Sequence, residues 1–411
     1  MLSKVISRRE LIRLSGAAGG TALLAACAPK EVVRVVKQTV VVVEEVERKV
    51  EVTKEVVKEV VKEQQAAKVV EKVVQAPTAT LQAAIAGLMP VPRSRTAGAV
   101  RTTGGNMVAI QTVRGAIAPE DLGRTLVHEH IMVDFVGAAQ TGAHRWVRDD
   151  VVKRMLPYLQ ALSQRGLSGF VDCTPMYLGR DPLVLKRLSE LSGLHILTNT
   201  GLYKEPYLPP EAFTLSPSEL AEQWIVEWQE GIEGTDVRPG FVKIAVHSGA
   251  LERVQQTIVR AAAATHLATG LAVACHTEGE VAAEMSLDLI EEAGMSPRGY
   301  IIVHADQIDG IAKHCELARR GAWLEYDSIG GRPVGEHVRL VLDLLDQGYE
   351  DQLLISQDAG WYWVGEEGGG RVRPYTVLED EFIPALRAAG VHEDLLAKLL
   401  ISNPRRAFAV G

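Results

Sequence analysis

The amino-acid sequence is short of cysteine, of long apolar runs and of basic charge. Four cysteines in 411 residues exclude the disulfide framework of a small secreted domain. The longest apolar segment falls short of the ~20 residues that span a bilayer, so the chain is not a polytopic membrane protein. The net charge of −8 argues against a nucleic-acid-binding protein, which normally presents a basic face. Hydrophobic residues make up 47% of the chain, which excludes a wholly disordered protein.

The charge is distributed unevenly along the chain. Residues 1–30 carry a net charge of +4, and residues 31–75 carry nine charges of each sign. Residues 76–107 contain three arginines and no acidic residue, which leaves −15 for residues 108–411. Only this last segment has the composition of a globular domain, so we predict a single domain at 108–411.

The first 27 residues resemble a bacterial export signal. The run SRRELIR at 7–13 is similar to a twin-arginine motif, and a small apolar run follows it at 14–26. The run LAAC at 24–27 is similar to a lipobox, in which Cys27 would be lipidated. We therefore predict export and a lipid anchor on the outer face of the cytoplasmic membrane. An uncleaved anchor and an ordinary small-residue helix are the alternatives.

Two further segments precede the predicted domain. Residues 28–75 are rich in Val-Val pairs separated by Lys and Glu, which indicates a charged stalk with partial heptad spacing and so a coiled coil as one option. Valine is a poor helix former, and this disfavours the coiled coil. Residues 76–107 are rich in Ala, Thr, Pro and Gly, which is typical of a flexible linker.

Beyond residue 107 the pattern changes to alternating strands and helices. The segment 251–269 has helical spacing and is followed by Gly270, a residue that commonly ends helices. Eight strand-and-helix units in about 300 residues predict an α/β fold of the (β/α)8, or TIM barrel, type. A doubly wound open sheet is the competitor, but it usually carries a glycine-rich loop after the first strand. The strand candidates are apolar runs with polar ends at 125–134, 169–174, 195–203, 240–247, 271–278, 300–306, 322–328 and 353–358.

Histidines lie at the ends of several predicted strands. His128 and His130 are two residues apart on the first strand, so their side chains share one face and can hold one metal ion. His276 ends the fifth strand and His304 the sixth. A single buried histidine is usually a hydrogen-bonded core residue. Four at the carboxyl ends of strands, where barrel enzymes place their catalytic groups, predict a metal site.

Two further polar residues interrupt apolar strands. Lys243 lies inside the apolar run FVKIA, where an unpaired ammonium group is unfavourable. One interpretation is a buried salt bridge. The other is that burial favours the neutral amine, which can add carbon dioxide to form a carbamate able to bridge two cations. Asp358 ends the eighth strand and supplies an oxygen ligand and a base.

This order of residues resembles the phosphotriesterase family of the amidohydrolase superfamily. The order is His-x-His, a lysine on strand 4, histidines on strands 5 and 6, and an aspartate on strand 8. The resemblance covers residues 111–408 and therefore nearly the whole globular segment. It also includes the runs TVRG at 112–115, TLVHEH at 125–130, VDCT at 171–174, LGRDP at 178–182, TGLY at 200–203 and NP at 403–404.

The resemblance implies a binuclear metal site. The metals would most commonly be zinc, with cobalt, manganese or iron as alternatives. Two divalent ions acidify a bridging water and polarise the oxygen of the substrate. The implied ligands of a buried metal are His128, His130 and Asp358, and those of an exposed metal are His276 and His304. The implied bridges between the metals are a hydroxide and the carbamate that Lys243 forms with carbon dioxide. Asp358 is the implied proton acceptor.

The expected substrate contacts depart from those of the relatives. Tyr203 matches a tyrosine that contacts substrate in the lactonase branch, but Lys204 and Glu205 stand where that branch has a second tyrosine. Ser328 replaces an arginine of the lactonases. Trp361, in the loop after strand 8, is either a substrate wall or a loop anchor. These departures do not support lactonase specificity over the hydrolysis of another ester.

The sequence thus predicts a tethered metal-dependent hydrolase that cleaves a lactone, a carboxylic ester or a phosphotriester. The acidic domain disfavours polyanionic substrates and fits a small neutral ester. A non-catalytic ligand-binding lipoprotein on a barrel scaffold is one alternative, and an amidohydrolase acting on a cyclic amide is another. The resemblance also allows a homodimer.

Overall fold

The computed structural model describes residues 108–411. The predicted signal with lipidated Cys27, the stalk and the linker lie outside the described residues. Within the described range, no helix is both long enough and apolar enough to cross a bilayer.

The described chain alternates strands and helices. A short antiparallel hairpin, β1 (Ile110–Thr112) and β2 (Gly115–Ile117), opens it. The strands that follow are β3 (Thr125–Val133), β4 (Gly169–Asp172), β5 (His195–Leu197), β6 (Asn199–Thr200), β7 (Phe241–Val246), β8 (Val273–Thr277), β9 (Tyr300–Val303), β10 (Trp323–Tyr326), β11 (Leu353–Ile355) and β12 (Gly360–Trp363). The helices are α1 (Arg148–Ser163), α2 (Pro182–Ser192), α3 (Pro217–Glu230), α4 (Arg253–Thr269), α5 (Glu280–Glu292), α6 (Ile311–Arg320), α7 (Val334–Asp346), α8 (Ile383–Ala388), α9 (Glu393–Ala397) and α10 (Asn403–Phe408).

The strands β3 to β12 are parallel and follow the order of a closed barrel. One sheet runs β12-β3-β4-β5 and the other β6-β7-β8-β9-β10-β11. The two sheets join where β5 and β6 are separated by Thr198 alone. They join again after β11, where Asp358 N donates to His128 O at 3.1 Å and His130 N to Ala359 O at 2.9 Å. The predicted α/β fold with parallel strands is confirmed. The second junction rules out the free sheet edges of a doubly wound fold.

Alternation along the strands separates two apolar layers. On β7, Phe241 packs in the barrel interior with residues of neighbouring strands. Val242 and Ile244 point the other way and pack against the helices. This period of two places Lys243 on the interior face. The interior is a packed core of Val, Ile, Leu, Ala and Phe, so polar side chains reach open space only at the carboxyl ends of the strands.

Helix α4 shows how closely local signals predict element ends. It ends at Thr269, and Gly270 follows with a φ of 78°, a left-handed conformation that favours glycine. It begins at Arg253, two residues later than the start of the predicted segment, because Glu252 forms a capping box with Gln255.

A β-bulge in β3 turns one of the histidines into the barrel. Leu126 pairs with Phe170 and Glu129 with Asp172, so β3 contains one residue more than β4 between the two pairs. Bulges often re-aim a side chain beside an active site. Here Val127 stays in the interior core while the next residue, His128, also faces the barrel axis.

Candidate metal centre

The predicted site residues line a small pocket at the carboxyl ends of the strands. The pocket has a volume of about 70 Å³. Its walls include donors from β3, β7 and β8 and from the segments after β9 and β11. The lining residues are His128, His130, Val133, Phe135, Cys173, Thr174, Pro175, Leu178, Tyr203, Lys243, His276, His304, Asp358 and Trp361.

His128, His130 and Asp358 form one group of donors. Each offers one ligand atom, and the three atoms lie within 4.8 Å of one another. Asp358 Oδ1 lies 3.1 Å from His130 Nε2 and 3.7 Å from His128 Nε2. Two imidazoles and one carboxylate are a common donor set for a divalent transition metal.

The backbone around Asp358 is held in a left-handed conformation. Its φ is 50°, which is uncommon for a residue other than glycine. Its carbonyl oxygen accepts hydrogen bonds from Trp361 Nε1 at 3.0 Å and Arg373 Nη1 at 3.1 Å. Gly360, two residues further on, has a φ of 100°, and a Cβ at this position would lie only 1.9 Å from His130 O. The close approach of this segment to β3 therefore requires glycine.

Two buried carboxylates at the end of β10 support the histidines from behind. Asp327 Oδ1 lies 2.6 Å from His304 Nδ1, and Asp327 Oδ2 lies 3.1 Å from His128 Nδ1. Glu325 Oε1 lies 2.7 Å from His128 Nδ1. Carboxylates in this position fix the tautomer and the orientation of a metal-binding imidazole. They leave Nε2 of His128 and His304 facing the pocket.

His130 and Glu129 are held by other partners. His130 Nδ1 lies 2.8 Å from Thr174 Oγ1. Glu129 faces away from the pocket and accepts hydrogen bonds from Ala359 N at 2.7 Å and Ser356 Oγ at 2.9 Å. Burial raises the pKa of Glu129 to about 8. Glu129 thus ties the segment on both sides of Asp358 to β3.

His276 and His304 face each other across the pocket. His304 Nε2 lies 2.8 Å from His276 Nδ1, and Tyr203 OH lies 3.1 Å from the same Nδ1. The second nitrogen of His276, Nε2, points to Lys204 Nζ at 2.9 Å. His276 therefore offers Nδ1 to the pocket.

Lys243 has no salt bridge among the described residues. Its side chain is buried, with 2% exposure, and Nζ has no hydrogen-bond partner within residues 108–411. A buried ammonium group without a partner is strongly unfavourable. The salt-bridge interpretation of Lys243 therefore finds no support in the described residues, whereas a carbamate would turn the amine into an oxygen ligand.

Burial keeps two of the histidines neutral. It lowers the pKa of His128 to about 4 and the pKa of His276 to about 3. Burial also opposes protonation of His304, but the carboxylate of Asp327 outweighs it and raises the pKa of His304. Burial opposes ionisation of Asp358, yet the contact with His130 and the other imidazoles holds its pKa below the usual range. Neutral imidazoles and an ionised carboxylate are the protonation states that ligate metals.

Trp361 lines the pocket from strand β12, which pairs with β3, and not from a loop as predicted. Its ring lies 4.7 Å from the His130 ring and 5.8 Å from that of Phe135, centroid to centroid. Its indole N–H bonds to the carbonyl of Asp358. This hydrogen bond anchors the segment after Asp358, and the role of Trp361 as a substrate wall stays a prediction.

The residues present fit a pair of divalent metals. All six predicted metal ligands meet in one pocket, and the orphaned Nζ of Lys243 lies among them. Tyr203 and Trp361 line the same pocket, while Cys27 lies outside the described residues. Sequence reasoning missed Glu325 and Asp327, although acidic residues within the apolar run 322–327 are the same kind of signal as Lys243.

Comparisons with known proteins agree with this geometry. Residues 108–408 match the phosphotriesterase family. An aryldialkylphosphatase of Saccharolobus solfataricus is 27% identical, with 72% of this chain and 98% of that protein covered. An N-acetyltaurine hydrolase of Homo sapiens is 25% identical, with 72% and 97% covered.

A solved structure extends the similarity to three dimensions. It is a mutant of a phosphotriesterase-like lactonase from Deinococcus radiodurans and is 31% identical to this chain. The TM-score is 0.67, with 73% of this chain and 99% of that chain covered. The family match, the barrel and its set of donors lead to one conclusion: the chain belongs to the phosphotriesterase family of hydrolases.

Proposed function

We propose that the protein is a binuclear metal-dependent hydrolase that cleaves an ester-like bond. The observation that carries this proposal is the buried, partnerless Nζ of Lys243 among four imidazoles and one carboxylate. His128, His130 and Asp358 would hold one metal, and His276 and His304 the other. Zinc is the favoured metal on this donor set, with cobalt, manganese or iron as alternatives.

Lys243 would join the two sites. Its neutral amine adds carbon dioxide through a new N–C bond and releases one proton to solvent, which leaves a carboxylate on the side chain. When bound, two divalent cations acidify a water molecule and polarise the oxygen of the scissile bond.

Asp358 would accept a proton from the attacking water. Its low pKa keeps it ionised, and its left-handed backbone, held by Trp361 and Arg373, fixes the carboxylate beside His130. Tyr203 OH points into the same space and would donate a hydrogen bond to substrate. The ring of Trp361 and that of Phe135 would exclude water from one side.

The substrate is proposed to be a small lactone, carboxylic ester or phosphotriester. The pocket volume of about 70 Å³ suits a compact reacting group. Two of the similar proteins support ester-like substrates, since one is an aryldialkylphosphatase and another a phosphotriesterase-like lactonase. The N-acetyltaurine hydrolase, named for an amide, does not add to this support. No observation specifically favours a binding-only protein, and none favours a cyclic amide.

The experiment is a screen of protein purified with added zinc, cobalt or manganese and bicarbonate. We expect about two metals per chain and turnover of at least one lactone, aryl ester or organophosphate. Chelated protein and the Asp358→Asn variant serve as controls. Metal content near zero, or turnover confined to an amide such as an N-acyl taurine, would contradict the proposal.

We also propose that the protein is exported and held at the outer face of the cytoplasmic membrane through Cys27. The twin-arginine and lipobox motifs of residues 1–27 support this location. The test is fractionation of cells that express the full chain or its Cys27→Ser variant. We expect the full chain in the membrane fraction and the variant outside it. An unchanged distribution would contradict lipidation.

A further inference from the structure

Lys204 and Glu278 form an ion pair directly behind His276. Lys204 lies in the loop after β6, and Glu278 follows β8. Their charged groups are in direct contact. Lys204 Nζ lies 2.9 Å and Glu278 Oε1 3.4 Å from the same atom, His276 Nε2. We call these two residues the charge couple.

The two members of the charge couple are held in place differently. The side chain of Lys204 is only 8% exposed, whereas that of Glu278 is 41% exposed. The second oxygen of Glu278 accepts a hydrogen bond from Ser248 N at 3.3 Å. Oε1 is therefore the oxygen that remains directed at His276 and Lys204.

The orientation of His276 determines which of its nitrogens can bind a metal ion and which must carry the proton beside the charge couple. Nδ1 of His276 faces the pocket, where His304 Nε2 lies 2.8 Å away. A neutral imidazole carries one proton, so a cation on Nδ1 requires that proton to be on Nε2. The Nε2–H group then needs an acceptor. Glu278 can accept it, whereas the ammonium of Lys204 offers only donors.

The other three histidines lack such a cation. Nδ1, the nitrogen that faces away from the pocket, lies against the carboxylate of Glu325 in His128 and against that of Asp327 in His304. In His130 it lies against the hydroxyl of Thr174. Among the described residues, His276 alone has an ammonium group beside the nitrogen that faces away from the pocket. The positive charge of Lys204 opposes a second cation nearby, and the negative charge of Glu278 favours it.

We propose that the charge couple sets the affinity of the outer metal site, which is the site on His276 and His304, with Glu278 promoting and Lys204 opposing metal binding to His276. Both are positioning residues, because they act through His276. The inference rests on the proposed binuclear function. It explains why the two metal sites of this chain would fill one after the other. The inner site, on His128, His130 and Asp358, fills first because the groups behind its two histidines are carboxylates and a hydroxyl, none of which is positively charged.

The test is calorimetric titration of metal-free full-length protein with zinc in buffer that contains bicarbonate, with bound metal counted by elemental analysis. Glu278→Gln should lower the affinity of the second zinc about tenfold, and Lys204→Met should raise it about tenfold. The first zinc should bind as in the wild type in both variants. Lys204→Arg keeps the charge and should leave the second affinity close to the wild type.

Lys186→Met is the matched control. It removes a lysine that pairs with Asp236 at 2.6 Å and does not line the pocket, and it should change neither binding step. If the affinity for the second zinc shifts in the same direction in Glu278→Gln and Lys204→Met, or shifts in neither, the inference alone is overturned. A wild type that binds no second zinc would overturn both the inference and the binuclear function. A wild type that binds two zinc ions but hydrolyses no ester would contradict only the function.

Discussion

Asp327 holds His304 by two contacts at once. Its Oδ2 accepts a hydrogen bond from His304 N at 3.0 Å, and its Oδ1 lies 2.6 Å from His304 Nδ1. His304 itself has a φ of 61°, directly after the end of β9. One carboxylate, directly after the end of the neighbouring strand β10, therefore fixes both the backbone and the ring of a proposed metal ligand.

We accordingly predict that Asp327→Asn weakens metal binding by about 10- to 100-fold. The amide keeps the shape of the side chain but loses the charge that orients the rings of His304 and His128. The measurement is zinc affinity by competition with a chromophoric chelator. Asp236→Asn, on the surface pair with Lys186, is the control. An affinity equal to the wild type in Asp327→Asn would show that these contacts do not orient the ligands.

Replacement of Lys243 tests the proposed carbamate. Lys243→Ala should reduce hydrolysis on the order of a hundredfold or more, because the two metals lose their shared oxygen ligand. The alanine leaves space in a buried position, so added acetate or propionate should restore part of the activity. Activity and metal content are measured with and without the acid. Full activity of the variant without any added acid would rule out the carbamate.

Removal of metal should destabilise the folded protein. Each metal that binds only the folded state adds about 2.7 kcal/mol to the free energy of unfolding at a hundredfold excess over its Kd. Without metal, the buried Nζ of Lys243 stays unpaired. Urea unfolding with and without a chelator measures the difference.

The Asp358→Asn variant is the control for this stability measurement. It replaces the anionic carboxylate ligand of the inner site with a weaker neutral amide, so the chelator should lower its free energy of unfolding by less than it lowers that of the wild type. Identical stability of chelated and metal-loaded wild-type protein would argue against metals in the pocket.

Tyr203→Phe tests the proposed substrate contact. The hydroxyl lies 3.1 Å from His276 Nδ1 and lines the pocket. Loss of one hydrogen bond to substrate should lower kcat/KM by about five- to tenfold, with metal content unchanged. Steady-state kinetics on the substrate found by the screen measures this. A fall in metal content instead would assign Tyr203 to the support of His276.

Local sequence patterns predicted the barrel strands β3 to β11 and the positions of the proposed donors, but not β12, which was expected as a loop. Apolar runs with polar ends indicated every barrel strand from β3 to β11, because burial on both faces leaves a continuous hydrophobic stretch. The end of α4 followed from Gly270. His276 and Lys243 stood out because polar side chains within apolar strands need a specific reason.

Other features of the site depend on residues that are remote in sequence. The charge couple joins Lys204 to Glu278, and Asp327 reaches His128 from nearly 200 positions further along the chain. The hydrophobic periodicity of a short segment does not predict a contact between residues so far apart in the sequence. The acidic residues of β10 were visible in the sequence, but their targets were not.

The types of donor at the strand ends and their order could be read from the amino-acid sequence, since hydrophobic periodicity and residue chemistry are local properties. The way in which those donors meet depends on the folded barrel. Closure of the barrel brings Asp358 against His128, and the bulge in β3 turns that histidine inward. The contacts around His276 decide which of its nitrogens faces the pocket and which faces Lys204. These outcomes depend on packing and hydrogen bonds between distant strands, which form only when the whole barrel closes.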